Sequence, residues 1–180
     1  MMKNYKSELT NLVSKKKKEF PTVFSETAYK NIIEILRETP QIISILSKKF
    51  DNKTSLTPII KGKWSFRETL IHILNIEVLN YTTIYPAYLL DKPFVYPLHA
   101  ERDIKKLNLF KDFSLSELVN EFKSERRKLL NFLEGLDYKD LKRNIIEKNK
   151  AREETIYWRL RGLALHDFTH IHILNFQLGK

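Results

Sequence analysis

A chain of 180 residues, 42% apolar and 12% aromatic, fits one folded domain with a sizeable core and excludes a disordered protein. With four glycines and no cysteine it excludes a glycine-rich phosphate loop, disulfides, thiolate metal ligands and a cysteine nucleophile. The formal net charge of +10 raises the question of a nucleic-acid partner, which the distribution of the charge must answer.

Residues 1–24 form a basic N-terminal extension with Lys15, Lys16, Lys17 and Lys18 in a row. Such a run can meet phosphates, but it also reads as a solvated, partly frayed leader. The other cations are dispersed among 22 acids without a base-reading helix pattern, so a nucleic-acid partner is not expected. The stretch MMKNYKSELTNLVSKKKKEF lacks the apolar core of a signal peptide, and no apolar run approaches the ~20 residues that span a bilayer. The expectation is a cytoplasmic protein with no membrane segment.

Beyond that point four segments repeat apolar residues at three- and four-residue steps. The first covers residues 25–49, through Ile32, Ile33, Leu36, Ile43 and Leu46, and Pro40 inside it predicts a kink or interruption. Residues 50–63 read as a connector. The second helix announces itself with a capping box, Ser65-x-x-Glu68, preceded by apolar Trp64, and its stripe runs from Leu70 to about Tyr85. Residues 86–113, with Pro86, Pro93 and Pro97, read as a long crossover containing a short helix near 101–108. The third helix opens on a second capping box, Ser114 to Glu117, and stops near Gly135. Residues 137–150 read as a polar loop with a short extended piece. The fourth helix is expected from about Arg152 to Gln177. The fold class is therefore all-α, a four-helix bundle over residues 25–180 with a long crossover between its second and third helices.

Three of the five histidines fall in HDFTHIH, residues 166–172. At about 100° per residue, His166 and His170 share one helix face, a spacing that suits a divalent metal, whereas His172 points away. Alone the pair is as well explained by ordinary packing. His72, flanked by Ile71 and Ile73 on the second helix, needs partners for its ring nitrogens. It is either a buried histidine hydrogen-bonded to a carbonyl or carboxylate, or a third ligand facing His166 and His170. His99 lies in the crossover, where no periodicity orients it. Glu68 shares the face of His72 but already serves the capping box. Glu77, Glu101, Asp103 and Asp167 are candidates to orient the imidazoles, with Asp167 turned toward solvent.

The pattern Trp64-Ser65-x-x-Glu68-x-x-x-His72, completed by His166-x-x-x-His170 near the C-terminus, resembles the DinB-like superfamily. The resemblance covers residues 25–180 and implies an up-down-down-up bundle. It further implies that His72, His166 and His170 hold a divalent metal, often zinc or nickel; Glu68 and Glu77, placed on the same helix as His72, are the candidates for outer partners. Family members with known activities are thiol-dependent: bacillithiol or glutathione S-transferases and a mycothiol-dependent maleylpyruvate isomerase. Homodimers are frequent among them. Because this chain has no cysteine, the thiol would come from a small-molecule cosubstrate. Water at the same centre would make it a hydrolase instead, and a non-catalytic stress or interaction module is the remaining reading.

Overall fold

The computed structural model describes residues 2–151 and 153–179, and the side chains from residue 7 onward. Seven α-helices are present among the described residues: α1 (Met2–Glu19), α2 (Glu26–Ser47), α3 (Phe66–Asn80), α4 (Ile84–Leu89), α5 (Leu115–Glu134), α6 (Tyr138–Leu141) and α7 (Ile156–Gln177). The expected start of the last helix at Arg152 lies outside the described residues. The helix proper opens at Thr155, whose hydroxyl accepts from the Trp158 N–H at 3.1 Å. No described helix is long and apolar enough to cross a membrane.

Both capping boxes form. Ser65 accepts from the Glu68 N–H at 3.1 Å while the Glu68 carboxylate accepts from the Ser65 N–H at 2.8 Å. Ser114 and Glu117 repeat the arrangement at the head of α5. The second helix ends earlier than its apolar stripe suggests, at Asn80. A turn at residues 81–83 then leads into α4, where Pro86 stands in the first turn and its missing N–H costs no helical bond.

The four long helices pack in a ring, α2 to α5 to α3 to α7 and back to α2, with α3 against α7 its lightest contact. Directions follow from the contacts. Arg67 at the head of α3 donates to the Lys111 carbonyl just before α5, and Tyr81 after α3 donates to Glu125 within α5. These two helices therefore run parallel, which is why a long crossover must join them. Phe24 and Tyr157 meet at the heads of α2 and α7, ring centroids 5.3 Å apart, so these also run parallel. Lys123 reaches Ser44, placing early α5 beside late α2. The result is the up-down-down-up bundle.

The crossover is not loose. Its strand β1 (Phe94–Val95) pairs in parallel with β2 (Asn144–Glu147), which pairs antiparallel with β3 (Glu154–Thr155). A 3-10 turn at Ile104–Leu107 stands within the stretch expected to be helical. This small sheet pins the crossover against the head of α7.

One polar layer divides the core. Arg126 on α5 is fully buried; its guanidinium bonds Glu77 on α3, Asp167 on α7 at 2.7 Å and the Leu36 carbonyl on α2 at 3.0 Å. Pro40 explains the last contact. The interruption expected there does not occur, because α2 continues through Pro40. The missing proline N–H instead leaves the carbonyl four residues back, that of Leu36, for Arg126 to use.

The basic leader is also more structured than a solvated run. On α1, Leu9, Val13 and Lys16 are half-buried along one seam ending at buried Phe20, while Lys15, Lys17 and Lys18 face solvent. The Lys16 ammonium lies 5.2 Å from the Phe20 ring centre and 5.5 Å from that of Phe168 on α7. Arg161 bonds the Phe20 carbonyl at 2.6 Å and Tyr157 bonds that of Pro21 at 2.9 Å, so the chain is fastened where α1 ends.

Replacing Arg126 by Ala strands two buried carboxylates without a cation. The expected loss is about 3–5 kcal/mol of unfolding free energy, read from urea denaturation. Ser65→Ala, which removes only the cap, is expected to cost about 1 kcal/mol in the same measurement.

Candidate metal centre

The antiparallel contact of α3 with α7 brings His72, His166 and His170 together. Each offers a ring nitrogen, and the three nitrogens lie within 4.8 Å of one another. Ring centroids are 4.9 Å apart for His72 with either partner and 4.4 Å for His166 with His170. The Trp64 indole, from the residue before the α3 cap, covers the cluster: it lies 4.8 Å from His72 and is parallel to His170.

The hydrogen bonds settle the chemical form of His72. Its Nδ1 is 2.8 Å from a Glu101 carboxylate oxygen, itself held by Lys105 at 3.0 Å. An ionised carboxylate only accepts, so Nδ1 of His72 carries the proton and Nε2 keeps its lone pair. That Nε2 faces Nε2 of His166 at 2.8 Å. Burial holds His72 below the usual imidazole pKa, outweighing its hydrogen bond to Glu101, which favours the charged form. Burial, with His166 and His72 nearby, draws His170 down to about 3. Both rings are therefore neutral near pH 7, the form in which imidazole binds metals.

His166 adds a second sign. Its Nδ1 is buried without a partner, and so is Oδ1 of Asp167, 3.8 Å away. If the Nε2 lone pair of His166 is used for a ligand, its proton moves to Nδ1, and these two orphaned atoms become a matched donor and acceptor. The donor set thus fits a divalent ion held by three imidazoles.

The carboxylates divide differently from expectation. Glu101 is the one that orients an imidazole. Asp167, expected in solvent, is fully buried, because α7 is covered by helices on most sides and the residue is claimed by Arg126. Burial pushes Asp167 up, but Arg126 and His166 together outweigh it and hold the carboxyl below its usual range. Glu77 turns to Arg126 and Asn80 and touches no histidine; burial pushes it up. Glu68 stays in its capping box. Asp103 bonds Arg102 and the His99 N–H, and those bonds lower it to about 2. His99 stands apart from the cluster and accepts from the Glu101 N–H at 3.2 Å. His172 packs its ring against Phe168 at 4.3 Å, outside the site.

Two participants escaped the sequence reading. Arg126 lies one turn after Phe122 and one before Leu129, so its place on a buried stripe was visible, but its run of neighbouring charges argued for solvent. Trp64 was assigned to the helix cap, and its stacking on the imidazoles depends on how α3 meets α7.

A cavity of about 390 Å³ opens at His166 between α3, the crossover and the head of α7. Arg102, Lys150 and Arg159 line it, yet each is already paired: Arg102 with Asp103 at 2.7 Å, Lys150 with Glu154 at 2.8 Å, and Arg159 with Glu147. The cavity sets these paired charges among apolar walls from Leu79, Leu98, Trp158 and Leu163, and the Nε of Arg159 is left without a partner.

The tautomer is directly measurable. Long-range ¹H–¹⁵N spectra of metal-stripped protein are expected to show His72 protonated at Nδ1, and Glu101→Ala is expected to abolish that preference.

Comparison with known proteins agrees with this picture. No curated protein sequence matches the chain. Among solved structures, YfiT from Bacillus subtilis, described as a probable metal-dependent hydrolase with an unusual four-helix bundle topology, matches with a TM-score of 0.72. The match has 18% identity and covers 87% of this chain and 91% of that one. The model of the DinB superfamily matches residues 35–174, which takes in the capping box, the crossover and all three clustered histidines. The chain belongs to the DinB superfamily.

Proposed function

We propose that this protein is a divalent-metal enzyme acting on a small molecule, with His72, His166 and His170 as the metal ligands. The observation that carries the reading is the pairing of a convergent imidazole cluster with a carboxylate that holds one ring in its ligand tautomer. Three imidazoles suit zinc or nickel and leave coordination positions for a reactant, as catalytic sites do. An ion held there would supply a Lewis acid that lowers the pKa of a thiol or water delivered to it.

The residues around it have definable tasks. Glu101 keeps the proton on Nδ1 of His72, and Asp167 receives that of His166. Trp64 shields the imidazoles from water on one side. The cavity at His166 admits the reactant between apolar walls and the ion-paired side chains of Arg102, Lys150 and Arg159. The leading reaction is thiol-dependent S-transfer, which the chain, lacking cysteine, would run on a low-molecular-weight thiol. Hydrolysis is the second reading, favoured by the likeness to YfiT. In this reading residues 25–180 form the catalytic domain and residues 1–24 an appended basic segment, in a cytoplasmic protein that forms homodimers.

Metal-stripped protein offered Zn²⁺ or Ni²⁺ is expected to take up about one ion per chain by elemental analysis. His72→Ala and His170→Ala are expected to lose it, and Glu101→Ala to weaken binding about 10–100-fold. No uptake by the parent protein overturns the proposal. A panel pairing bacillithiol, glutathione and mycothiol with electrophiles, beside simple esters and amides, separates the reactions. Turnover only without thiol makes the protein a hydrolase.

A further inference from the structure

The histidine cluster has a second opening, unlike the first. On the side of His170 lies a cavity of about 370 Å³, within the range of roughly 300–1,000 Å³ typical of small-molecule sites. Its walls are mostly apolar, from Ile60, Trp64, Ile173 and Phe176 with Leu9 contributed by α1; Lys63 and Thr69 also line it, the Thr69 hydroxyl already bonded to the Ser65 carbonyl, and the His170 ring forms one side. Gln177 also lines it, only 7% exposed, and its buried amide oxygen has no hydrogen-bond partner. An apolar chamber with one unsatisfied amide suits a ligand with an apolar body and a single polar group.

We propose that this chamber binds the aliphatic or aromatic portion of the substrate, presenting its reactive end to His170, while the cavity at His166, which carries the charged side chains, receives the second reactant. The proposal rests on the metal-enzyme reading for the reaction, but the binding it describes does not require the metal. The arrangement gives two reactants separate openings, one at His166 and one at His170. It also gives α1 a task. That helix precedes the residues matched by the family model and supplies one wall of the chamber through Leu9. The narrow seam of Leu9, Val13, Lys16 and Phe20 holds α1 in place over the chamber.

The test uses full-length, metal-stripped protein carrying Trp158→Phe, so that Trp64 is the sole tryptophan. Titration with n-alkanols from butanol to octanol, followed by Trp64 fluorescence, is expected to show affinity rising about three- to fourfold per methylene. Leu9→Phe and Ile173→Phe each fill the chamber without adding a tryptophan, and each is expected to weaken octanol binding at least tenfold. Circular dichroism and zinc uptake, unchanged in at least the Ile173→Phe protein, would show that the bundle and cluster persist. Affinity without chain-length dependence, or unchanged octanol binding in either plugged protein, overturns the proposal. Zinc uptake by the parent is scored separately: its absence would sink the metal reading and leave the alkanol result standing.

Discussion

Arg126 is the interaction on which the bundle turns. A guanidinium with no exposure to water must find partners for its donors, and here they come from every other main helix: Glu77 on α3, Asp167 on α7 and the Leu36 carbonyl on α2. Buried charge costs several kcal/mol per ion unless geometry and hydrogen bonding are complete. The layer therefore tolerates few relative placements of the four helices. Apolar packing above and below it, from Leu36, Leu129 and Leu160 on one side and Ile43, Phe122 and Leu174 on the other, is permissive by comparison.

That constraint reaches the candidate centre through one residue. Asp167 bonds Arg126 with one oxygen and leaves the other beside Nδ1 of His166, so the register of the ion layer is also the register of the imidazole. On the opposite side the three-stranded sheet ties the crossover to the head of α7, and the crossover brings Glu101 to His72. A rigid layer beneath and a pinned loop beside the cluster hold three rings from two helices in convergence. This is the pre-organisation that a metal or a reactant requires.

Much of this was legible in the sequence, for local reasons. Ser65 with Glu68 and Ser114 with Glu117 satisfy the first amides of their own helices, so helix starts could be read residue by residue. Apolar steps of three and four marked the four long helices, and the four-residue spacing of His166 and His170 set them on one face. Failures came where an outside partner overrode a local rule. Pro40 does not break α2, because a distant arginine uses the carbonyl it frees. Asp167 is buried despite its charge, because the last helix has no free face. Pro86 continues a short helix because it falls in the first turn.

By itself the sequence determined the four long helices, the two capping boxes, the shared face of His166 and His170 on α7 and the lack of any cysteine, since each depends on the residues themselves or on neighbours a few positions away. The tertiary structure alone decided which carboxylate serves which imidazole, that Trp64 covers the rings, and that a helix before the shared bundle walls a second chamber. Those choices join residues dozens of positions apart. They are made by packing and by the cost of an unpaired buried charge, and neither is written in any local pattern.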